Sequence, residues 1–292
     1  MLADSHCHLQ FNGYNENRVE VTKRCQNNGM LLNIVGTQQD TSRKAVELAE
    51  QFNNFYATIG LHPVHINSAE LDEEESSFIT REEKFDKDYY RQLAKSKKVI
   101  GIGECGIDLF HIPKNVPVAD ILDKQKEEFI KQIELARELN LALVIHIRNS
   151  DNSELPNAYD EVLKIFNSRE LENKSSGESV GVIHCYGGNP SQAQKFLDAG
   201  FYLGITGIIT FAPKKSNPQP SLDLVEIVKN TPLERLLIET DSPYLAPQKY
   251  RGQQCEPWMV AEVAKKIAEI KNLKIEEVIK ITSENFKKLF KI

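Results

Sequence analysis

The chain has 292 residues, of which 40% are hydrophobic and 27% are charged, so it can bury a sizeable core. Its 36 basic and 42 acidic residues give a net charge of −6, which excludes the broad basic face typical of many nucleic-acid-binding domains. A phosphate-bearing ligand would therefore need a local binding site. The sequence contains no run of about 18 apolar residues, so it predicts no membrane-spanning helix.

The cysteines and the N-terminal segment indicate the compartment. The five cysteines are odd in number and widely spaced, and no CxxC occurs, so neither a disulfide framework nor a structural zinc site is expected. The first residues, MLADSHCHLQ, lack the basic flank and the long apolar run of a signal peptide. We therefore expect a cytoplasmic protein that does not associate with membranes and needs no obligate protein partner.

Short apolar runs rich in β-branched residues alternate along the chain with longer amphipathic stretches. The runs predict strands at 2–8, 31–37, 55–61, 99–104, 141–147, 180–185, 201–206 and 236–240. The amphipathic stretches predict helices at 120–139, 189–199 and 257–270, and one or two more at 275–292 in an outer layer. The acidic stretch 68–88 predicts a solvated loop with a helical segment leading into 89–94, and 212–220 predicts a second loop.

The alternation of strands and helices predicts the fold class. Strand–helix repeats favour βαβ units and a parallel sheet. Eight such repeats in fewer than 300 residues favour a closed α/β barrel of the (β/α)8, TIM-barrel type. Barrels of about 250 residues form one domain, so we predict a single domain over 1–292. An open, doubly wound sheet is the alternative, because periodicity alone does not distinguish the two.

The histidines avoid every predicted helix. Four lie in or at the end of a predicted strand and three lie in the segments just beyond one: His6, His8, His62, His65, His111, His146 and His184. In parallel barrels the C-terminal strand ends and the loops that follow them build the active site. The histidine pattern therefore predicts a site at that end of the barrel.

Six of the strand-end residues are of the types that bind metal ions. His6 and His8 are two apart on one strand, so their side chains face the same side and can hold one ion. Further ligand types end other strands: Glu104, His146, His184 and Asp241. Because a buried carboxylate is costly unless it is paired or metal-bound, the apolar strands that run into acidic residues predict a divalent cation.

Seven short motifs occur in order from residue 4 to residue 257: DSHCHL, GLHP, GECGID, IHIR, HCYGG, ETDSPYLAP and RG followed by EP. In these motifs the chain resembles the TatD family of metal-dependent hydrolases, which are amidohydrolase-type barrels. The resemblance implies a metal-dependent deoxyribonuclease, chiefly a 3′–5′ exonuclease on single-stranded DNA. It also implies two divalent ions, one held by His6, His8, Glu104 and Asp241, and a second by Glu104, His146 and His184.

The resemblance leaves the ion open among Zn, Mn and Mg, although mixed histidine and carboxylate ligation suits Mg less well. With two ions in place, Asp241 would serve as both ligand and general base, with Glu104 bridging the ions. His62 would contact the substrate phosphate or the leaving group, and Arg148 would contact a phosphate. Arg251 is a candidate substrate contact, or it fixes its loop by pairing with Glu256.

Two features bear on the substrate. Leu109 and Phe110 stand where the family usually has an aromatic pair, and Cys255 stands where it usually has Asn. The acidic stretch at 70–83 would repel a nucleic acid if it reached the barrel mouth. The expected partner is DNA or another phosphodiester.

Two functions other than a phosphodiesterase are alternatives. The first is a metal-dependent ester or amide hydrolase, such as an aminoacyl-tRNA deacylase. Related barrels of that kind often bridge their metals with a modified lysine, whereas this chain has Glu104 at the matching strand. The second is a non-enzymatic barrel, which predicts at least one missing ligand, and none is missing.

Overall fold

The structure is a computed structural model that describes residues 1–67, 70–73, 76–79, 82–113, 116–167 and 180–292, with the backbone alone at 70–73 and 76–79. Within these residues, eight parallel strands form one sheet, and two short antiparallel strands form another. The barrel strands are β1 (Ala3–Cys7), β2 (Leu31–Val35), β3 (Phe55–Ile59), β6 (Val99–Asp108), β7 (Ala142–Arg148), β8 (Gly181–Ile183), β9 (Tyr202–Ile205) and β10 (Leu236–Ile238).

Helices follow the barrel strands. They are α1 (Arg18–Asn27), α2 (Gln39–Ala49), α3 (Lys87–Leu93), α4 (Val118–Leu139), α5 (Ala158–Asn167), α6 (Pro190–Asp198), α7 (Gln219–Asn230), α8 (Val260–Lys271) and α9 (Ile275–Phe290). The predicted start of α6 is confirmed, because the Asn189 side chain accepts a hydrogen bond from the backbone N–H of Gln192 at 2.9 Å. No helix within the described ranges is long and apolar enough to cross a membrane.

The sheet closes on itself between its first and last strands. The order is β1-β2-β3-β6-β7-β8-β9-β10, and a parallel bridge joins Cys7 to Ser242 just beyond β10. The backbone N–H of Asp241 donates to the carbonyl of His6 at 2.9 Å, and that of His8 donates to Ser242 at 2.7 Å. These contacts confirm the predicted (β/α)8 barrel and exclude the open sheet.

The strand faces that line the barrel interior carry apolar residues in the middle of the barrel and polar residues at the C-terminal ends of the strands. Val144 and Val182 are fully buried in the inner apolar cluster, and each lies two residues before a predicted ligand, His146 and His184. Because side chains two apart on a strand share a face, the ligands lie directly above this inner core. The barrel interior thus supports the site from beneath.

The C-terminal segment forms one helix, α9, and it does more than complete the outer layer. Phe286 and Phe290 of α9 pack into the inner cluster of the barrel. The Asn285 side chain donates to the carbonyls of Leu233 and Leu236, at the start of β10, at 2.8 Å each. Besides packing on α8 in the outer layer, α9 therefore covers the N-terminal end of the barrel.

The acidic stretch at 68–88 departs from the predicted loop. Its backbone forms an antiparallel pair, β4 (Glu70–Glu73) with β5 (Ser76–Ile79), and α3 (Lys87–Leu93) follows. Period-2 apolar alternation is weak here, so backbone pairing was not visible in the sequence. The acidic side chains at 70–79, and residues 68–69, 74–75 and 80–81, lie outside what the structure describes, so the expected repulsion of nucleic acid stays a prediction. The five cysteines all lie in described ranges and none forms a disulfide.

Candidate metal centre

The structure brings the six predicted ligands together at the C-terminal ends of the barrel strands. They come from five segments: His6 and His8 at the end of β1, Glu104 in β6, His146 in β7, His184 just after β8, and Asp241 just after β10. Within the described residues, three groups of side chains have geometry that could hold a metal ion, and they contain these six residues and His62.

One side of the centre is formed by the two histidines of β1 and two carboxylates. The Nε2 atoms of His6 and His8 lie 3.1 Å apart. His6 Nε2 is 3.3 Å from Glu104 Oε2, and His8 Nε2 is 3.3 Å from Asp241 Oδ1. Two ring nitrogens and two carboxylate oxygens therefore converge on one small volume, which is the donor set that binds Zn or Mn well.

The other carboxylate oxygen of Glu104 faces a different set of imidazoles. Oε1 is 3.1 Å from His146 Nδ1 and 4.0 Å from His184 Nε2. His184 Nε2 is also 3.7 Å from Asp241 Oδ1. Glu104 is thus placed between two groups of histidines. Its Oε2 faces His6 and His8, and its Oε1 faces His146 and, at 3.3 Å, His62 Nε2. His184 lies between the two groups, since its ring also stacks on His6.

Two ligand rings, His8 and His146, are oriented by a hydrogen bond on their far side, and His184 has a carboxylate oxygen close to its far nitrogen without hydrogen-bond geometry. His8 Nδ1 is 2.8 Å from the carbonyl of Val35. His184 Nδ1 is 2.8 Å from Glu239 Oε1, and His146 Nε2 is 3.0 Å from Asp108 Oδ2. An acceptor on one ring nitrogen fixes the proton there and leaves the lone pair of the other nitrogen for a metal ion. The second nitrogen of each ring faces the centre, so the donor set fits divalent cations.

His6 has no hydrogen-bond partner for its Nδ1 among the described residues, and the same is true of His184 Nδ1. The two rings stack with centroids 3.5 Å apart, and His6 Nε2 lies 3.1 Å from His8 Nε2. Stacking on His184 and the contact with His8 hold the His6 ring in place.

Burial and mutual charge set the protonation of the centre. Burial disfavours ionisation of Glu104, but His62 and His6 outweigh that effect and hold the pKa of its carboxyl well below the usual value. His184 does the same for the pKa of Asp241. Burial alone would lower the pKa of His146, but hydrogen bonds to Asp108 and Glu104 raise it to about 9. The carboxylates are therefore ionised and available as ligands.

Comparison with known proteins decides the family. The family model for TatD-related DNase matches residues 3–291. The chain belongs to the TatD-related DNase family. Its resemblance to that family, first indicated by the motifs, is confirmed over nearly the whole chain.

The relatives of this TatD-family chain include hydrolases from bacteria and humans. It is 35% identical over 293 residues to the uncharacterized metal-dependent hydrolase YabD of Bacillus subtilis, with all of both chains covered. It is 28% identical to the human deoxyribonuclease TATDN3, covering 99% of this chain and 94% of that protein. The crystal structure of YjjV, a TatD homolog from Escherichia coli, shares its fold with a TM-score of 0.77 at 23% identity, covering 100% and 98% of the chains. The protein is therefore a metal-dependent hydrolase.

The remaining predicted site residues lie at different distances from the ligands. His62 follows β3, and its Nε2 is 3.3 Å from Glu104 Oε1, so it adjoins the centre. His65, three residues farther along, is also buried. Nδ1 of His111 pairs with Asp108 Oδ2 at 3.0 Å. Arg148 follows His146 by two residues on β7, and its guanidinium lies 3.9 Å from the centre of the Phe110 ring.

The loop after β10 is fixed differently from the expectation. Arg251 lies over the Phe211 ring at 4.5 Å. Glu256 accepts hydrogen bonds from Arg24 of α1 at 2.7 and 2.8 Å and from the Trp258 indole at 2.6 Å. The hydrogen bonds of Glu256 are thus with Arg24, 232 positions earlier, and Trp258, rather than with Arg251 as predicted.

Sequence reasoning missed the residues that support the ligands. Glu239, two residues before Asp241 on the same face, also accepts from the backbone N–H of Cys185 at 2.6 Å and from Ser5 Oγ at 3.0 Å. Gly204 leaves room for this carboxylate, since a Cβ there would lie 2.5 Å from Glu239 Oε1. The signal available in the sequence was its spacing. In IETDSP, Glu239 lies two residues before Asp241, so a strand would direct both side chains to the interior of the barrel.

Helix α4 carries a second set of missed supports on its buried face. The Gln125 amide bonds the backbone N–H and C=O of Asp108 at 3.0 and 2.9 Å. The Gln132 amide does the same for Leu61, the residue before His62, at 2.8 and 2.9 Å. The two glutamines lie seven residues apart and so share one helix face. Each fixes a segment that carries a residue of the centre.

We expect Glu239→Gln to weaken metal binding by about 10- to 100-fold, because the amide no longer presents two acceptor oxygens to His184, Cys185 and Ser5. Titration of the metal-free protein with Zn or Mn measures the change. Glu256→Gln is the matched control, because Glu256 binds Arg24 outside the centre. Equal metal affinity in wild type and Glu239→Gln would contradict the orienting role.

Proposed function

We propose that the protein is a two-metal phosphodiesterase that acts on DNA, as a 3′–5′ exonuclease on single strands. The human relative named as a deoxyribonuclease and the TatD-related DNase family model support a nucleic-acid substrate. The cysteine pattern supports action in the cytoplasm.

The observation that carries the proposal is the position of Glu104 between two groups of imidazoles. Its Oε2 is 3.3 Å from His6 Nε2, and its Oε1 is 3.1 Å from His146 Nδ1. In the proposed assignment, one ion is held by His6, His8, Glu104 and Asp241, and the second by Glu104, His146 and His184. Divalent cations in such a site lower the pKa of a water molecule and neutralise charge on a phosphoryl group. The histidine-rich donors favour Zn or Mn over Mg.

Asp241 is proposed as the general base as well as a ligand. A base must reach the reacting water, so it needs access from the substrate side. The Asp241 side chain is 18% exposed, whereas that of Glu104 is 4% exposed. Its Oδ1 faces His8 and His184, which leaves its other oxygen for the water. Asp241 adopts a left-handed backbone conformation at φ 64°, which is uncommon for a residue other than glycine and favours a functional role.

His62 is proposed as a hydrogen-bond donor to a phosphoryl or leaving-group oxygen. Its Nδ1 accepts from the backbone N–H of Val64 at 3.2 Å, so a neutral ring carries its proton on Nε2. That nitrogen faces the centre, 3.3 Å from Glu104 Oε1. A ring with this tautomer donates to substrate rather than binding a metal. Arg148 and Arg251 are proposed as phosphate contacts farther out.

Digestion of a substrate panel tests the function. We expect metal-dependent release of nucleotides from 3′-ended single-stranded DNA, with slower release from duplex DNA and RNA, and hydrolysis of bis-p-nitrophenyl phosphate. Hydrolysis of aminoacyl-tRNA or carboxylic esters without phosphodiester cleavage would overturn the proposal in favour of the ester hydrolase.

A further inference from the structure

An exposed aromatic ring lies next to the candidate metal centre. Phe110 follows β6, and its side chain is 41% exposed although its ring is in contact with the Arg148 guanidinium, 3.9 Å from the ring centre. Its ring also meets the His111 ring edge-on, with centroids 5.0 Å apart. We call Phe110 and Arg148 together the Phe110–Arg148 stack. A single exposed phenylalanine needs no explanation by itself, but this one is held by contacts that also reach the metal centre.

A buried carboxylate ties the stack to the ligands. Asp108 Oδ1 accepts from the backbone N–H groups of Phe110 and His111, at 2.8 Å each. Its Oδ2 is 3.0 Å from Nε2 of the ligand His146 and 3.0 Å from Nδ1 of His111. One side chain therefore fixes the segment that carries Phe110 and orients a metal ligand. The backbone of Phe110 is therefore anchored to that carboxylate.

The strand register places the guanidinium beside the same ligand. Asp108 pairs with Arg148 across β6 and β7, and the backbone N–H of Leu109 donates to the Arg148 carbonyl at 2.8 Å. His146 and Arg148 are two apart on β7 and so share a face. Arginine on an aromatic ring is suited to hold a phosphate as well, because its planar group both stacks and donates in a fork.

This proposal rests on the proposed function. We propose that the Phe110–Arg148 stack is a nucleobase subsite, in which Phe110 stacks on a base flanking the scissile phosphate and Arg148 contacts an adjoining phosphate. Base–aromatic stacking tolerates every base, so the subsite favours single strands, whose bases are unpaired, without selecting a sequence. A local subsite of this kind also supplies the binding that a chain of net charge −6 does not obtain from a basic face.

The subsite is tested by combining protein variants with altered DNA substrates and comparing their KM values. The substrates are a short oligodeoxythymidylate and two copies that carry an abasic residue on one or the other side of the scissile phosphate. We expect one abasic copy to raise KM of the wild-type protein about 10-fold. Phe110→Ala should raise KM of the intact strand by a similar factor and leave KM of that abasic copy unchanged, with kcat little altered. Phe110→Trp should retain the wild-type KM, and Arg148→Lys should raise KM of every copy.

A control variant and two different failures of the experiment separate the subsite from the proposed function. Leu222→Ala removes another exposed apolar side chain, on α7, and should change no KM. Cleavage with equal KM for intact and abasic strands, or a Phe110→Ala effect of the same size on both, overturns the subsite alone. Absence of metal-dependent cleavage of every strand overturns the proposed function and the subsite together.

Discussion

Glu104→Gln should lower kcat by about 10³-fold or more while leaving the circular dichroism spectrum unchanged. The substitution keeps the size of the side chain but removes its charge and replaces one oxygen with an N–H donor. One group of imidazoles, either His6 and His8 or His146 and His184, would then face a donor where it now faces an acceptor. A loss of 10³ corresponds to about 4 kcal/mol of transition-state stabilisation, which is within what metal ions supply.

Single-turnover hydrolysis of bis-p-nitrophenyl phosphate at saturating metal measures this effect. Glu161→Gln is the matched control, because Glu161 is a buried carboxylate on α5 that pairs with Lys126 and Lys164, away from the centre. Near-wild-type turnover of Glu104→Gln at limiting metal would show that Glu104 is not a ligand.

Removal of divalent cations should abolish turnover, and restoring them should recover it. Chelator should also lower the midpoint of thermal unfolding, because ions that bind the folded chain alone stabilise it. An ion present at 100 times its Kd contributes about 2.7 kcal/mol. The fall in midpoint is expected because, without cations, the carboxylates of Glu104 and Asp241 are compensated by protonated imidazoles alone.

Two measurements check this prediction together: initial rates, and thermal midpoints with and without chelator, followed by addition of Zn, Mn or Mg. The Glu104→Gln variant serves as a reference that should show little chelator-dependent shift. Turnover that persists at the same rate in chelator would exclude a metal role.

The cluster of candidate ligands could be predicted from the sequence for a physical reason. Parallel strands place their C-terminal ends at one rim, so polar residues that end apolar strands must meet there. His6 and His8 share a strand face by spacing alone, and Glu104 ends a run that is otherwise apolar. These statements need only the two-residue period of a strand and the alternation of strand and helix patterns. Both can be read from short stretches of the sequence.

The supports of the site were not accessible in the same way. The partners of Asp108 and Glu239 depend on which ring nitrogen faces which oxygen, and that is set by the packing of whole strands. Gln125 and Gln132 fix backbone groups of Asp108 and Leu61, which lie 17 and 71 residues away in sequence. The pairing of Glu256 with Arg24 depends on barrel closure, because it joins helix α1 to the segment that follows β10. Such contacts are products of the fold rather than of local pattern.

A crystal structure of the metal-loaded protein, with anomalous scattering measured at the absorption edge of the bound ion, tests the central claim most directly. We predict two anomalous peaks per chain, one beside Nε2 of His6 and His8 and one beside His146 and His184, with the Glu104 carboxylate between them. A single peak, or peaks away from Glu104, would contradict it.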